Sequence, residues 1–184
     1  MSSDFLITID SSWTLFLDRD GVINVEKEND YIRNVAEFQF LEGVELAVAK
    51  LSQVFGRIVV VTNQKGIGKG LMTETDLSSI HQKMTSEIVK AGGRIDQVYF
   101  CPDKDPESSC RKPNIGMAIQ AKKDFCEIDF NRSLMVGNTL SDMQFGRSCG
   151  MRTVFVLSAK PVPELPHPAI DEMYPSLAAF ANRF

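Results

Sequence analysis

Two aspartates separated by one residue, Asp18 and Asp20, follow a short apolar run in "FLDRDGVIN", residues 16–24. In an extended segment, residues i and i+2 point to the same side of the chain, so both carboxylates would face one site while Arg19 would point away. Two adjacent carboxylates repel each other unless a cation neutralises them or one carries a proton. Mg²⁺ prefers oxygen ligands and combines one or two carboxylates with waters and phosphate. The pair therefore indicates a metal-assisted site in which one carboxylate is a nucleophile and the other an acid.

Polar residues also follow three later apolar runs of the chain. They are Thr62 and Asn63, Arg111 and Lys112, and Asn138 and Asp142. The Thr62 hydroxyl and the Asn63 backbone N–H could donate to phosphate oxygens, and Lys112 and Arg111 could bind those oxygens by charge. Asn138 and Asp142 would add oxygens near the metal. Each residue type is common in loops, but four such positions at successive strand ends predict a phosphate site, because ligands bind there in open parallel sheets.

The elements that must position these residues alternate between strands and helices. We predict strands at 13–18, 57–63, 97–101, 133–138 and 152–158, and helices at 41–55, from Thr73 to Gly92, at 114–125, from 139 to about Gly150, and in the last residues. This alternation implies right-handed βαβ units. The expected fold is an α/β, three-layer Rossmann-like sandwich with a mainly parallel sheet. We expect a single domain over 1–184, without an insertion long enough for a large cap domain.

The composition excludes several other classes of protein. The net charge of −4 implies no nucleic-acid partner, and no apolar run approaches the roughly 18 residues of a membrane span. The N-terminus lacks the pattern of a signal peptide, and the four cysteines show no dense disulfide pattern. We therefore expect a cytoplasmic protein with reduced cysteines. His81 and His167 are the only histidines, which excludes a histidine-rich metal site, and we expect His81 on the flank of a helix.

Four segments, "FLDRDGVIN", "VVVTNQKGIGKG", "CRKP" and "MVGNTLSDMQFG", together resemble the four motifs of the haloacid dehalogenase superfamily. More narrowly, they are similar to its nearly capless phosphatases, which act on histidinol phosphate or on D-glycero-D-manno-heptose 1,7-bisphosphate. The resemblance covers about residues 13 to 157. It implies that Asp18 is the nucleophile and forms an aspartyl phosphate, and that Asp20 is first the general acid and then the base that activates water. Thr62 and Lys112 would steady the phosphoryl group.

The same resemblance implies the rest of the site. Arg111 would contact the remainder of the substrate, and Asn24 and Gln64 would border the pocket. Mg²⁺ would be held by Asp18, the Asp20 backbone carbonyl, Asn138 and Asp142. The loops 25–31 and 64–72 would flank the entrance in place of a cap. The expected partner is a small phosphorylated metabolite, with the heptose bisphosphate as the leading choice and histidinol phosphate or another small phosphomonoester as the alternative.

The stretch "CPDKDPESSCRKP" departs from the pattern of these phosphatases, which often carry a zinc loop of the form Cys-x-His…Cys-x-Cys before Arg-Lys-Pro. Cys101 and Cys110 occupy the outer positions, but Asp103 replaces His and Ser108 replaces a Cys. Structural zinc prefers four nitrogen or sulfur ligands. We therefore expect no bound zinc and a loop held by packing and its prolines.

The fourth motif departs as well, because it reads Gly137-Asn138-Thr139-Leu140-Ser141-Asp142 where the family usually has Gly-Asp-x-x-x-Asp. An Asn carbonyl can ligate Mg²⁺ but brings no charge. This leaves a hypothesis of another class, a catalytically silent module that only binds phosphorylated ligands. The intact Asp18–Asp20 pair argues against that module. A phosphomutase is disfavoured by the lack of a cap, and a nucleic-acid 3′-phosphatase by the acidic balance.

Overall fold

One parallel sheet forms the centre of the described part of the chain, residues 4–184, in this computed structural model. Its strands are β1 (Thr14–Leu17), β2 (Arg57–Asn63), β3 (Gln97–Cys101), β4 (Ser133–Gly137), β5 (Arg152–Val156) and β6 (Glu172–Tyr174), in the spatial order β3-β2-β1-β4-β5-β6. All neighbouring strands pair in parallel. The five predicted strands are confirmed within two residues at their ends, and β6 is an additional short edge strand.

Helices cover both faces of the sheet. They are α1 (Val44–Val54), α2 (Lys65–Gly68), α3 (Glu74–Lys90), α4 (Gly116–Asp124), α5 (Leu140–Cys149) and α6 (Leu177–Ala181). The predicted N-cap Thr73 forms a full capping box with Asp76, since each side chain bonds the backbone N–H of the other residue. The expected α/β three-layer fold is confirmed. The one-turn helix α2 was not predicted and lies within the segment 64–72 that we had described as a loop.

The side chains of the strands alternate between two hydrophobic cores. Leu15 and Leu17 of β1 lie in the core shared with α1, α3 and α6, whereas Phe16 between them lies in the core shared with α4 and α5. All residues of β1 are buried. A strand that is covered on both faces in this way fixes the direction in which the chain leaves it, and so positions the residues that follow it.

The strand order places the end of β1 at the centre of the sheet. The chain runs from β1 outward through β2 to β3, then crosses back to β4 on the other side of β1. The carboxyl ends of β1, β2 and β4 therefore meet at a topological switch point, where ligands of open α/β sheets bind. The Asp18 backbone N–H continues the ladder by donating to the Val136 carbonyl at 3.0 Å.

Within residues 4–184 the connections between these elements hold short helical turns, such as Val35–Glu37 between β1 and α1, and isolated β-bridges, such as that between Asn24 and Phe40. Residues 1–3 lie outside the described residues. The predicted domain over 1–184 and the N-terminal segment without a signal-peptide pattern both include them. Among the described helices, none is both long and apolar enough to cross a membrane.

Candidate active site

A buried cluster of three charges lies where β1, β2 and β4 end. Lys112 Nζ is 2.8 Å from Asp18 Oδ1 and 2.7 Å from Asp142 Oδ1, and it also donates to the Val61 carbonyl at 2.7 Å. All three charged residues are less than a tenth exposed. Three segments that are distant in sequence thus place one cation between two carboxylates, as expected from the positions of these residues after their strands.

The charges of this cluster shift one another's protonation. Burial raises the pKa of Asp18 to about 6, the nearby Asp142 charge adds to the rise, and Lys112 opposes it. Burial alone would lower the pKa of Lys112, but the charges of Asp142 and Asp18 outweigh it and raise that pKa. Lys112 is therefore charged at neutral pH. A further positive charge beside Asp18 would lower the pKa of that carboxyl and so favour its ionised form.

Asn63 holds the backbone of Lys112 in register with β2. Its side-chain Nδ2 donates to the Lys112 carbonyl at 3.1 Å, and the Lys112 N–H donates to Asn63 Oδ1 at 3.0 Å. This pair of bonds fixes where the lysine side chain starts, and the three contacts of Nζ fix where it ends. Asn63 therefore contributes more than the backbone N–H that we predicted.

Asp20 is held by hydrogen bonds at both carboxylate oxygens. Its Oδ1 accepts from Arg19 Nη2 at 2.8 Å, from Arg19 Nε at 3.3 Å and from Asn24 Nδ2 at 3.0 Å, and its Oδ2 accepts from Gln64 Nε2 at 2.9 Å. Burial would raise the pKa of Asp20, but the Arg19 charge and the bonds from Arg19, Asn24 and Gln64 lower it below its usual value. Arg19 was expected to point away from the site, but its side chain is buried and its guanidinium bonds the Asp20 carboxylate beside it.

Asn24 and Gln64 lie behind the site. Asn24 is fully buried, and its Nδ2 donates to Asp20 and to the Val25 carbonyl. The structure therefore gives Asn24 a supporting position instead of the substrate contact that we predicted, because its side chain is enclosed, although its Oδ1 finds no hydrogen-bond partner among the described residues. Gln64 Nε2 bridges Asp20 and the Thr62 hydroxyl, which accepts at 2.8 Å.

Asn138 has a side-chain oxygen without a partner. Its Nδ2 donates to Glu26 Oε1 at 3.1 Å, while its buried Oδ1 makes no hydrogen bond with any residue that the structure describes. Glu26 in turn pairs with Lys160 Nζ at 2.6 Å. Gly21 packs directly against this amide: a Cβ at Gly21 would lie 2.0 Å from Asn138 Nδ2, and the backbone there has a φ of +82°. The structure thus fixes the amide through Nδ2 and leaves Oδ1 available.

Asp142 uses both carboxylate oxygens inside the protein. Oδ1 pairs with Lys112, and Oδ2 accepts from the Thr139 N–H at 3.0 Å and from the Thr139 hydroxyl at 2.6 Å in the capping box of α5. The predicted role of Asp142 as a metal ligand stays a prediction, and its visible role is to hold Lys112 at the start of α5.

A cavity of about 240 Å³ opens at this edge of the sheet, and among the described residues Asn24 and Asn138 do not line it. Seven predicted residues line it: Asp18, Asp20, Thr62, Asn63, Arg111, Lys112 and Asp142. Four others were not predicted: Lys65, Thr139, Ser141 and Lys160. Gln64 lines an adjoining cavity together with Asp20, Asn63 and Lys160. Lys65 belongs to the segment "VVVTNQKGIGKG" and to the loop expected at the entrance, although it was not singled out, whereas Lys160 carries no motif signal and lies two residues after a predicted strand.

The loop before Arg111 is closed by a disulfide between Cys101 and Cys110. This corrects the expectation of reduced cysteines for this pair, while Cys126 and Cys149 are free. The sequence pattern had indicated only that Cys101 and Cys110 occupy the outer positions of an incomplete zinc loop. The two sulfurs and an Asp103 carboxylate oxygen lie within 4.8 Å of one another, and the disulfide joins the end of β3 to the residue that precedes Arg111.

Comparison with known proteins identifies relatives of the whole fold. Residues 14–150 match the family model described as polynucleotide kinase 3 phosphatase. The chain is 38% identical over 159 residues to the D-glycero-beta-D-manno-heptose-1,7-bisphosphate 7-phosphatase of Vibrio cholerae, covering 82% of this chain and 84% of that one. It is 40% identical over 153 residues to the corresponding alpha-heptose phosphatase of Burkholderia mallei, covering 78% of each chain.

A solved structure is similar over nearly its entire length. The D,D-heptose 1,7-bisphosphate phosphatase from B. bronchiseptica, complexed with magnesium and phosphate, superposes with a TM-score of 0.81 at 29% identity and covers 93% of this chain and 97% of that chain. The relatives are phosphatases, so this chain is a hydrolase of phosphate esters. The absence of a nucleic-acid partner stays a prediction despite the description of the family model. The chain belongs to the polynucleotide kinase 3 phosphatase family of haloacid dehalogenase-like phosphatases.

Proposed function

We propose that this phosphatase removes the 7-phosphate from D-glycero-D-manno-heptose 1,7-bisphosphate, using Mg²⁺ and a covalent aspartyl phosphate on Asp18. The observation that carries the proposal is the buried Asp18–Lys112–Asp142 cluster beside Asp20, at the switch point of the sheet. The choice of sugar is supported by the names of relatives at 38–40% identity over most of the chain. Those names include both anomers, so the proposal covers both.

The charge of the cavity suits a substrate with two phosphates. Four basic residues line it, Lys65, Arg111, Lys112 and Lys160, together with three aspartates. Lys112 is committed to Asp18 and Asp142, and Lys160 pairs with Glu26. The Arg111 guanidinium donates only to the Asp103 carbonyl, at 3.3 Å, among the described contacts. It can therefore turn to a second phosphate with a bidentate contact.

The donor set fits Mg²⁺. The cation prefers oxygen ligands, and the site offers the Asp18 carboxylate, the Asp20 backbone carbonyl and the orphaned Asn138 Oδ1. A buried carbonyl oxygen without a partner is costly, so a cation beside Asn138 would satisfy an atom that the protein leaves unpaired. When bound, Mg²⁺ would supply the positive charge that offsets Asp18 and the phosphate oxygens.

In the first chemical step, an Asp18 oxygen attacks phosphorus and the bond from phosphorus to the sugar oxygen breaks. Asp20 gives its proton to that departing oxygen, so that a neutral alcohol leaves. Arg19 lowers the pKa of Asp20 in the free site, and the negative charge of the bound phosphate would raise that pKa and favour the protonated form. Thr62 lines the cavity, and its O–H could donate to a phosphoryl oxygen. Lys112 would contribute its positive charge beside Asp18, since its three N–H groups bond Asp18, Asp142 and the Val61 carbonyl. The product of this step is an acyl phosphate on Asp18.

In the second step, water attacks the phosphorus of the acyl phosphate and Asp20, now a carboxylate, takes the proton of that water. The bond between phosphorus and the Asp18 oxygen breaks, which releases inorganic phosphate and restores the Asp18 carboxylate. Lys112, which pairs with Asp18 in the free site, stabilises that carboxylate as it re-forms.

The test is phosphate release from the alpha and beta anomers of the bisphosphate, with histidinol phosphate and simple sugar monophosphates as comparisons. Phosphorus NMR of the product would identify which phosphate is lost, and we expect loss of the 7-phosphate with the 1-phosphate retained. Asp18→Asn is the matched control, because its amide cannot form the acyl phosphate.

Three other outcomes would contradict parts of the proposal. Faster turnover of histidinol phosphate would replace the sugar with the alternative substrate. Turnover by Asp18→Asn within tenfold of wild type would remove Asp18 as nucleophile. Absence of turnover on every substrate, with a phosphate-dependent rise in melting temperature, would identify a silent binding module.

A further inference from the structure

Arg19 is a buried cation behind the proposed general acid. Its side chain is fully enclosed, although it comes from the short segment that carries both aspartates. A guanidinium is stable inside a protein only where its N–H groups find acceptors. Nη2 and Nε bond Asp20 Oδ1, and Nη1 lies 3.2 Å from His81 Nε2. The guanidinium therefore links a cavity carboxylate to helix α3, which contributes no residue to the cavity lining.

The hydrogen bonds of Asp20 are distributed unevenly between its two oxygens. Oδ1 accepts from two Arg19 nitrogens and from Asn24, which uses its available lone pairs. Oδ2 accepts one bond, from Gln64. A proton on Asp20 must therefore lie on Oδ2. Since the Asp20 side chain is 29% exposed and lines the cavity, that proton is available to a substrate.

His81 completes the environment of the guanidinium as an acceptor. Arginine nitrogens only donate, so His81 Nε2 accepts and its ring hydrogen lies on Nδ1. Burial, followed by the Arg19 charge, lowers the pKa of His81 to about 3, and the ring is therefore neutral at working pH. Ile80 and Met84 of the same helix are fully buried in the core, so α3 holds the ring in a fixed place.

We propose that His81 and Arg19 are positioning residues: His81 orients the Arg19 guanidinium, which grips Asp20 by Oδ1 so that Oδ2 delivers the proton to the leaving group. This inference rests on the proposed function. His81 lies half-buried on α3, as expected for a helix flank, and the inference adds a role to that position and to the residue between the two aspartates.

Two substrates separate this role from a general structural one. A sugar phosphate releases an alkoxide and needs the proton of Asp20, whereas p-nitrophenyl phosphate releases a nitrophenolate that departs without one. The ratio kcat/KM reports only the steps up to leaving-group departure, so the later use of Asp20 as a base does not enter. A positioning defect should therefore lower kcat/KM for the sugar phosphate alone.

The variant is His81→Ala, which removes the acceptor for Nη1. General acid–base catalysis supplies about 10²–10⁴-fold, and a carboxylate that is mobile but present should lose part of it, so we expect kcat/KM on the bisphosphate to fall about tenfold. His81→Gln restores an acceptor oxygen and should recover most of that loss. Thr85→Ala is the matched control, because Thr85 lies one turn further along α3, is also half-buried, and bonds only helix carbonyls.

The proposal is supported by a loss in His81→Ala on the bisphosphate, unchanged kcat/KM on p-nitrophenyl phosphate, recovery in His81→Gln and no change in Thr85→Ala. Equal losses on both substrates would overturn it, since they would indicate a structural effect on the whole site. An unchanged His81→Ala enzyme would overturn it as well. Failure of the proposed function is distinguishable, because it appears in wild type as a lack of turnover on the bisphosphate.

Discussion

Removal of the Cys101–Cys110 disulfide should destabilise the protein and weaken substrate binding while leaving kcat nearly unchanged. The perturbation is Cys110→Ser, chosen because Cys110 is only half-buried whereas Cys101 is fully buried. The cysteines are separated by nine positions, and closing a loop of this size lowers the entropy of the unfolded chain enough to stabilise the fold by about 2–3 kcal/mol. In a chain of this length the melting temperature should fall by about 5–10 °C.

The effect on catalysis follows from how the two residues after Cys110 are held. Lys112 is fixed by Asn63 and by the contacts of its Nζ, none of which involves the disulfide. The Arg111 guanidinium donates to the Asp103 carbonyl and the Arg111 backbone N–H donates to the Ser108 carbonyl, and both acceptors lie inside the loop that the disulfide closes. The reaction centre should therefore keep its geometry, while the proposed contact of Arg111 with the substrate weakens, and KM should rise.

The assay combines thiol alkylation with melting. Protein denatured without reductant should show two alkylated cysteines, Cys126 and Cys149, and four after reduction. Cys149→Ser is the matched control, since it removes a free cysteine and should leave KM unchanged. Two results would refute the reasoning by showing thiols or a metal in place of the disulfide: four alkylated cysteines without reductant, or stoichiometric zinc by elemental analysis. An unchanged melting temperature of Cys110→Ser would refute it as well, because the disulfide would then not stabilise the fold.

Three further predictions concern the charges of the site. Lys112→Met leaves Asp18 and Asp142 buried without their cation, so denaturant melts should show a loss of about 3–5 kcal/mol, together with loss of turnover. Asn138→Asp adds a carboxylate beside the proposed cation, and a Mg²⁺ titration of turnover should give half-saturation at a lower concentration; an unchanged value would place residue 138 outside the ligand set. Gly21→Ala pushes a methyl group into the Asn138 amide and demands a left-handed backbone, so turnover should fall by at least an order of magnitude in a phosphate-release assay.

The sequence was most informative where a local pattern decides the structure. The β-branched run "RIVVVTN" became β2 over the predicted residues, because a strand buried on both faces needs a continuous apolar run. Thr73 and Asp76 also formed the predicted start of α3. By contrast, β6 covers three half-buried residues after a proline-containing tail, and it exists only because β5 offers an edge for pairing. No local pattern encodes such a strand.

Contacts between distant residues limited the prediction of the site. The D-x-D spacing predicted that Asp18 and Asp20 would face one cavity, but not that Arg19 would bond Asp20 and meet His81, 62 positions along the chain. The same limit applies to Lys160, which reaches Glu26 and the cavity from a loop after β5. Asn24 was placed in the substrate pocket by resemblance alone, whereas packing encloses it behind Asp20.

The neutral residue in the fourth motif is the sole support for a silent binding module, and its surroundings argue against that interpretation. Leaving the buried Asn138 Oδ1 unpaired costs about 1–3 kcal/mol, and the protein orients that atom through a specific bond from Nδ2 to Glu26. A module that only binds phosphate has no use for an oriented free oxygen, nor for a buried Asp18 carboxylate that repels its ligand. Both groups are useful if a cation lies between them. Asn138 brings no negative charge, but Glu26, which accepts a hydrogen bond from Asn138 Nδ2, carries one, and Lys160 pairs with Glu26.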